Sequence, residues 1–425
     1  MKTLLKNARI LKMTDESILY GDMVIIDDKI AYIGENSDSF VPFDKVIDCD
    51  GNLLMPGFKN AHTHSAMTFL RSKTDNYNLH DWLFKVVLPR EELLTKKDIY
   101  ELAKLAYLEY LTSGITACFD QYYFPTQSGK AAEDMGMRIV LLGTYNGKYD
   151  IERLYQDINS KNGLAKYCFG VHAEYTLEKG ELENIVRCVH EFKSPFFAHI
   201  SETENEVKEC YEKRGMSPVA FFEKMGVYDY GGGGYHCCFF NKEDIEIFKR
   251  HNLTVVTCPG SNSKLASGIA PICEYLDAGL NVAIGTDGPA SNNSLDMFKE
   301  MTLLYSLQKL TLKDPKALPA YTILKMATVN GAIAMGLKDC DVLEVGKKAD
   351  IIEIDLKRPN MQPLNNIINN LVYSGSKENI KMTMINGKIL YRNGKFYTKQ
   401  KPETIYRKCQ EITNRIDEEV RGKNL

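Results

Sequence analysis

"PGFKNAHTHSAMTFLRS", residues 56–72, sets His62 and His64 one residue apart, directly after a short apolar stretch that closes on Pro-Gly. Side chains two apart on a strand share a face, so the two imidazoles can converge on one point. That point could hold a metal ion. By itself the stretch is equally a polar turn with two incidental histidines, because short motifs often match by chance.

Working outward, the chain alternates short β-rich runs with longer helical patterns. The runs are LLMPGFKNAHTH (53–64), TACFDQYY (116–123), RIVLLGTY (138–145), YCFGVHAEY (167–175), PFFAHIS (195–201), GGYHCCF (233–239), TVVTC (254–258) and NVAIGTDG (281–288). Amphipathic stretches such as KKDIYELAKLAYLEYLTSG (96–114) and NKEDIEIFKRHN (241–252) lie between most of them. This is the alternation of a parallel α/β architecture, and eight such units predict a (β/α)8 TIM barrel over residues 56–344. The flanks, 1–55 and 345–400, read as hairpins: MVIIDDKIAYIGE, ADIIEIDL and MTMINGKILYRNGKF, with tight turns at Asp-Asp-Lys and Asn-Gly-Lys. Neither flank has enough strands to bury a core alone, so together they predict one small composite β-sandwich domain. Within residues 401–425, Ile405, Cys409, Ile412, Ile416 and Val420 recur at helical spacing, the pattern of a terminal packing helix.

Composition narrows the function classes. The chain has 425 residues, 44% hydrophobic and 26% charged, enough for a large core. Its formal net charge of -3 gives no broad electrostatic reason to expect a nucleic-acid or anionic-membrane partner. The first residues mix acidic and basic side chains without an apolar run, unlike a signal peptide. No stretch approaches the ~18 to 20 apolar residues of a membrane span. Eleven cysteines without a Cys-x-x-Cys pair suit reduced thiols in a cytoplasmic protein rather than a disulfide framework or zinc ribbon. The expected partner is a small-molecule substrate, and a homo-oligomer is compatible with the sequence.

In such a barrel the chemistry sits at the carboxyl ends of the strands. Of eight histidines, five fall at expected strand ends: His62, His64, His172, His199 and His236. Asp287 ends the last strand in the same way. His62 and His64 from the first strand, His199 from the fifth and Asp287 from the eighth make a nitrogen and oxygen set for one divalent ion per chain, zinc by ligand type, with iron or manganese fitting the same donors. Taken singly, His199 could be a satisfied core histidine and Asp287 a helix cap. Joint placement at one barrel end favours the metal.

Glu202, three residues past His199, can reach a water held by the ion and shuttle its proton. The alternative is a helix-start glutamate favoured by the helix dipole. His236 could orient the same water or stabilise developing negative charge. It could also be a buried structural histidine.

The stretches PGFKNAHTHSAMTFLR, HISETENEV, YHCC, SNSKLASGIAP and GTDGPASNNSLDMFKEM, in that order, resemble the amidohydrolase superfamily. Within it the sequence is most similar to the 5-methylthioadenosine/S-adenosylhomocysteine deaminases, historically labelled chlorohydrolases. The resemblance covers nearly the whole chain. It implies a mononuclear metal on His62, His64, His199 and Asp287, with Glu202, His236 and Asp287 catalytic. It further implies His172 and Glu91 (LPREELL, 88–94) as base and ribose contacts. The sequence places no lysine clearly as a bridging carbamate at the end of the fourth strand, which argues against the binuclear branch.

The implied reaction is hydrolytic deamination of an adenosine derivative: 5'-methylthioadenosine, S-adenosylhomocysteine, 5'-deoxyadenosine or adenosine. A related amidohydrolase acting on guanine, a pterin or a triazine is the alternative, and a non-catalytic scaffold fits an intact ligand set poorly. VHAEY carries the His-x-Glu of cytidine-type deaminases, but their downstream Pro-Cys-x-x-Cys is missing. In the resembling enzymes an arginine beyond the third strand binds the homocysteine carboxylate. Gly143 stands at what looks like its place here, leaving Arg153 (DIERLYQ, 150–156), Arg71 or Lys148 as candidate cations. Arg153 is equally a solvated helix-start residue.

Overall fold

The computed structural model describes residues 1–73, 75–143 and 150–423. Thr144 and Tyr145, at the end of the third expected strand, and Lys148 lie outside them. In chain order the strands are β1 (Lys2–Leu11), β2 (Ile18–Ile26), β3 (Lys29–Gly34), β4 (Lys45–Asp48), β5 (Leu53–Pro56), β6 (Phe58–Thr63), β7 (Ile115–Asp120), β8 (Arg138–Gly143), β9 (Ala165–Ala173), β10 (Phe196–Ile200), β11 (Gly232–His236), β12 (Thr254–Thr257), β13 (Asn281–Ile284), β14 (Ile351–Ile354), β15 (Ile380–Ile385), β16 (Lys388–Arg392) and β17 (Lys395–Phe396).

Strands β6 to β13 pair in sequence order, every pair parallel, and form the barrel. Successive side chains point to opposite faces. Ala117 and Phe119 of β7 and Val140 and Leu142 of β8 therefore join Ala61, Phe197, Tyr235, Val256 and Ala283 in one interior core. Cys118, Ile139 and Leu141 pack outward into the layer shared with the helices. The last strand returns to the first: the Asp287 amide donates to the His62 carbonyl at 3.0 Å and the Thr286 amide to Asn60 Oδ1 at 2.8 Å. Gly285 permits this approach, since a Cβ there would lie 2.8 Å from the Cβ of His62.

The remaining nine strands form a second sheet from both ends of the chain. β1 pairs antiparallel with β2 and parallel with β4 and β5, and β5 pairs antiparallel with β14, Leu53 opposite Ile354. The expected tight turns are present, with Asp27, Asn386 and Gly387 at φ 55°, 52° and 73°. This sheet has its own core of Leu5, Ile10, Met23, Ile25, Ile351 and Met382 among others. Only Gly57 separates β5 from β6, so the composite sheet runs directly into the strand that carries His62. The Arg138 guanidinium grips Asp350 at 2.7 and 2.9 Å, both side chains buried, and ties the start of β8 to the residue before β14.

The helix Pro402–Lys423 buries Ile405, Cys409, Ile412, Ile416 and Val420. It packs on the helix Lys96–Thr112, where Arg415 meets Asp98 and Lys408 meets Glu101, each at 2.6 Å. Among the described residues no helix is long and apolar enough to cross a membrane.

Candidate active site

Three imidazoles meet at the carboxyl end of the barrel. His64 Nδ1 donates to the Gln121 carbonyl at 2.6 Å and His199 Nδ1 to the His172 carbonyl at 2.7 Å. These acceptors fix the tautomer and leave each Nε2 lone pair free. His62 is fully buried, and among the described residues neither of its ring nitrogens has a hydrogen-bonding partner. Burial pushes its pKa down to about 3, so the ring is neutral and available as a donor. Ligating atoms of His62, His64 and His199 lie within 4.8 Å of one another, and so do those of His62, His236 and Asp287. Asp287 Oδ1 stands 3.5 Å from His62 Nε2 and 3.3 Å from His64 Nε2. Burial works to raise the Asp287 pKa, but His62, His64 and His236 outweigh it and hold it well below the usual carboxylate range. Buried imidazole nitrogens without partners beside an ionised carboxylate fit a divalent cation. At the end of β9, the fourth barrel strand, stands His172, whereas Lys166 is exposed near the strand's start.

Glu202 and His236 face the same point. His236 Nδ1 contacts Asn262 Oδ1 at 2.7 Å, and its Nε2 lies 3.8 Å from Glu202 Oε2 and 4.0 Å from Asp287 Oδ2. Burial opposes the charged imidazole, yet the two carboxylates and Asn262 leave its pKa raised. Glu202 is raised by burial and by Asp287, with His236 opposing, while Ser267 donates to its Oε1 at 2.8 Å. Ser261 and Ser291 donate to Asp287 Oδ2 at 2.7 and 2.8 Å. Ser201, His236, Cys237 and Asp287 all hold positive φ, at 51°, 68°, 50° and 58°. Such backbone persists only where its surroundings over-determine it.

His64, His199, Glu202, His236 and Asp287 line part of a cavity of about 470 Å³. Its other walls include Trp82, Leu83, Phe84, Tyr122, Tyr175 and Leu177. Trp82–Val87 is a π-helical turn, a distortion frequent at functional sites. Glu91, buried, lines the cavity and accepts the Tyr122 hydroxyl at 2.5 Å, and burial pushes its pKa up to about 7. His172 lines it too, lowered to about 3 by burial and then by His64.

The model of the amidohydrolase family matches residues 53–390. The chain belongs to the amidohydrolase family. This amidohydrolase is 38% identical to a protein of Thermoanaerobacter pseudethanolicus named 5-methylthioadenosine/S-adenosylhomocysteine deaminase, over 100% of this chain and 99% of that one. It is 37% identical to a 5'-deoxyadenosine deaminase of Methanosarcina acetivorans, over 92% and 93% of the two chains. A crystal structure of an adenosine deaminase from Xanthomonas campestris with bound zinc superposes with a TM-score of 0.91 at 27% identity, covering 98% of each chain.

In this amidohydrolase the structure brings together eight of the nine site residues that the sequence singled out, with Arg153 apart. Arg153 lies on the helix Ile151–Asn159 with its side chain 76% exposed, 3.5 Å from Asp157, and is not among the described cavity residues. Arg71 is paired with Glu109 at 2.5 Å and does not line the cavity either. Tyr122, Gln121, Asn262, Ser261, Ser267 and Ser291 were not singled out as site residues. Three of these lie in SNSKLASG, whose run of small polar residues just past a barrel strand was the available signal.

Proposed function

We propose that this amidohydrolase removes the 6-amino group of an adenosine derivative as ammonia, leaving the inosine analogue, and that the ion in its cage is zinc. The observation that carries the reading is the contrast between the two parts of the cavity. His64, His199, Glu202, His236 and Asp287 are buried where they line it, and the rest of the wall is mostly aromatic and aliphatic, with Glu91, Glu178 and Glu181 its acidic members and no lysine or arginine among the described lining residues. The volume falls in the range of about 300 to 1,000 Å³ common for small-molecule sites, and a flat purine suits Trp82 and Tyr122.

His62, His64, His199 and Asp287 would hold a divalent cation, which when bound would supply Lewis-acid activation of water near neutral pH. Asp287, held ionised, takes a proton from the attacking water. Glu202, its carboxyl protonated more readily than an exposed one, carries a proton to the ring nitrogen beside C6. His236 faces both carboxylates and stabilises negative charge that develops on oxygen. The proton that Asp287 took passes to the amino group as it departs, and Glu202 regains a proton from the new oxygen as C6 becomes a carbonyl, so water and the aminopurine become the oxopurine and ammonia. His172, its ring centroid 4.5 Å from that of His199, contacts the base, and Glu91 beside Tyr122 contacts the ribose.

The 5' end of the substrate carries no carboxylate in this reading. A Cβ at Gly143 would lie 1.8 Å from the Tyr167 hydroxyl, so that ring occupies the room an arginine would need. Arg153 faces solvent. All eleven cysteines are free, ten of them buried, which supports a reducing, cytoplasmic setting.

Release of ammonia from 5'-deoxyadenosine, 5'-methylthioadenosine, adenosine, S-adenosylhomocysteine and guanine, and of chloride from a chlorotriazine, tests the proposal. Turnover of the 5'-uncharged nucleosides is expected. Turnover of guanine or the triazine with none of any adenosine compound would overturn it.

A further inference from the structure

The segment that delivers Glu202 is held by a group the reaction does not use. Immediately after β10 the chain turns at Ser201 with φ 51°, a left-handed conformation unusual for a residue other than glycine. The serine hydroxyl does not explain it, since among the described residues that oxygen has no partner. The amides of Ser201 and Glu202 point instead at Glu206, whose Oε1 accepts the first and Oε2 the second, both at 2.7 Å. Glu206 is buried and does not line the cavity. Its own amide donates to Thr203 Oγ1 at 3.2 Å, at the start of the helix Glu204–Arg214.

The other side of the same peptide is also tied. The Ser201 carbonyl accepts the amides of Cys238 and Phe239 at 3.0 and 3.1 Å, and the Ile200 carbonyl accepts the amide of Cys237 at 3.2 Å. Those three amides follow His236 directly, and His236 and Cys237 are themselves left-handed. One peptide segment thus joins the loop of Glu202 to the loop of His236, and Glu206 fixes where that segment stands.

We propose that Glu206 is a positioning residue that sets Glu202 against His236 through the Ser201 and Glu202 amides. A carboxyl group turns two oxygens toward two donors. Glutamine in its place keeps one oxygen and sets an NH2 against an N–H, which frees the Ser201 turn to relax and lets Glu202 drift from the 3.8 Å it keeps from His236.

The proposal rests on the deaminase reading and is tested on the full-length, metal-loaded enzyme with 5'-deoxyadenosine. Glu206→Gln is expected to lower kcat by at least ~10-fold while KM stays within ~3-fold and metal content is unchanged, the pattern of a contact that matters in the transition state. Adding Ser201→Gly should recover part of that kcat, because glycine holds the left-handed turn without the clamp. Should Glu206→Gln not fold, Glu206→Asp, which keeps both oxygens but retracts them by one methylene, serves with the same expectation of lowered kcat at constant KM. A normal kcat in the variant that folds overturns the proposal. So does a loss of kcat that tracks metal content and melting temperature with no recovery from Ser201→Gly. If the unaltered enzyme releases no ammonia, it is the deaminase reading that fails.

Discussion

Asp287 Oδ1 stands 3.3 Å from His64 Nε2, an ionised carboxylate facing an imidazole whose other nitrogen is already spent on the Gln121 carbonyl. Both groups are buried and have donor capacity left for an ion. Purified protein is therefore expected to carry about one divalent ion per chain, and His64→Ala or Asp287→Ala to lose most of it. Metal analysis by mass spectrometry checks this. Full occupancy in both variants would remove the ligand assignment.

Glu202→Gln keeps the shape of the side chain and its contact with Ser267 but cannot carry the proton. Turnover of 5'-deoxyadenosine should fall at least ~100-fold, the lower scale of general acid–base catalysis, with metal content unchanged. His236→Asn should give the same pattern. Unfolding of the His236 variant, read by circular dichroism, would assign that histidine a structural task instead.

Glu91 makes a pH-dependent contribution to stability whose sign follows from its burial. In the folded protein its pKa is pushed up from 4.5 to about 7, so the unfolded chain gives up the proton first. The stability gained from the neutral buried carboxyl is complete below about pH 4.5 and is lost as pH rises through about 7, in all about 3 kcal/mol. Glu91→Gln has no such titration. Its melting temperature should fall less than that of the unaltered protein between pH 5 and pH 8. Parallel curves would show that the carboxyl is not neutral in the folded state.

Arg153→Ala should change kcat/KM for 5'-deoxyadenosine and S-adenosylhomocysteine by less than ~2-fold each, since a solvated helix pair contributes little. The first compound should be turned over at least as efficiently as the second. A preference for S-adenosylhomocysteine that survives the substitution would point to another cation near the cavity.

Arg138→Ala leaves Asp350 as a buried carboxylate without its bidentate partner, a loss on the scale of about 3 to 5 kcal/mol. Asp350→Asn should cost a comparable amount, because it leaves the Arg138 guanidinium buried without its countercharge. Chemical denaturation of the two variants decides it, and midpoints equal to that of the unaltered protein would mean that the pair is not strongly desolvated.

The eight barrel strands were legible because each is an apolar run bounded by polar residues, and the candidate metal donors because histidine or aspartate finishes those runs. Other features depend on pairings that sequence spacing does not reveal. Glu91 looks like one more acidic residue on a charged helix until Tyr122, in the loop after β7, closes on it. The room denied at position 143 depends on Tyr167, a residue of the next strand. Arg153 follows the buried Ile151 by two positions, about 200° around a helix, which turns it to solvent. The sequence offered it as a ligand for a substrate tail only through an uncertain loop length. Glu206 lies within the quoted HISETENEV stretch, yet nothing in the spacing tells that its oxygens fold back on the two amides.

The pairing of β5 with β14 also has a timing consequence during synthesis. Leu53 leaves the ribosome roughly 300 residues before its partner Ile354, which at about 5 to 20 residues per second is an interval of roughly 15 to 60 s. Through that interval one edge of β5 waits bare, and the strand of His62, one glycine further on, hangs from an unfinished sheet. The first barrel strand, and His62 with it, therefore gains this last neighbour of its supporting sheet only after β14 has been made.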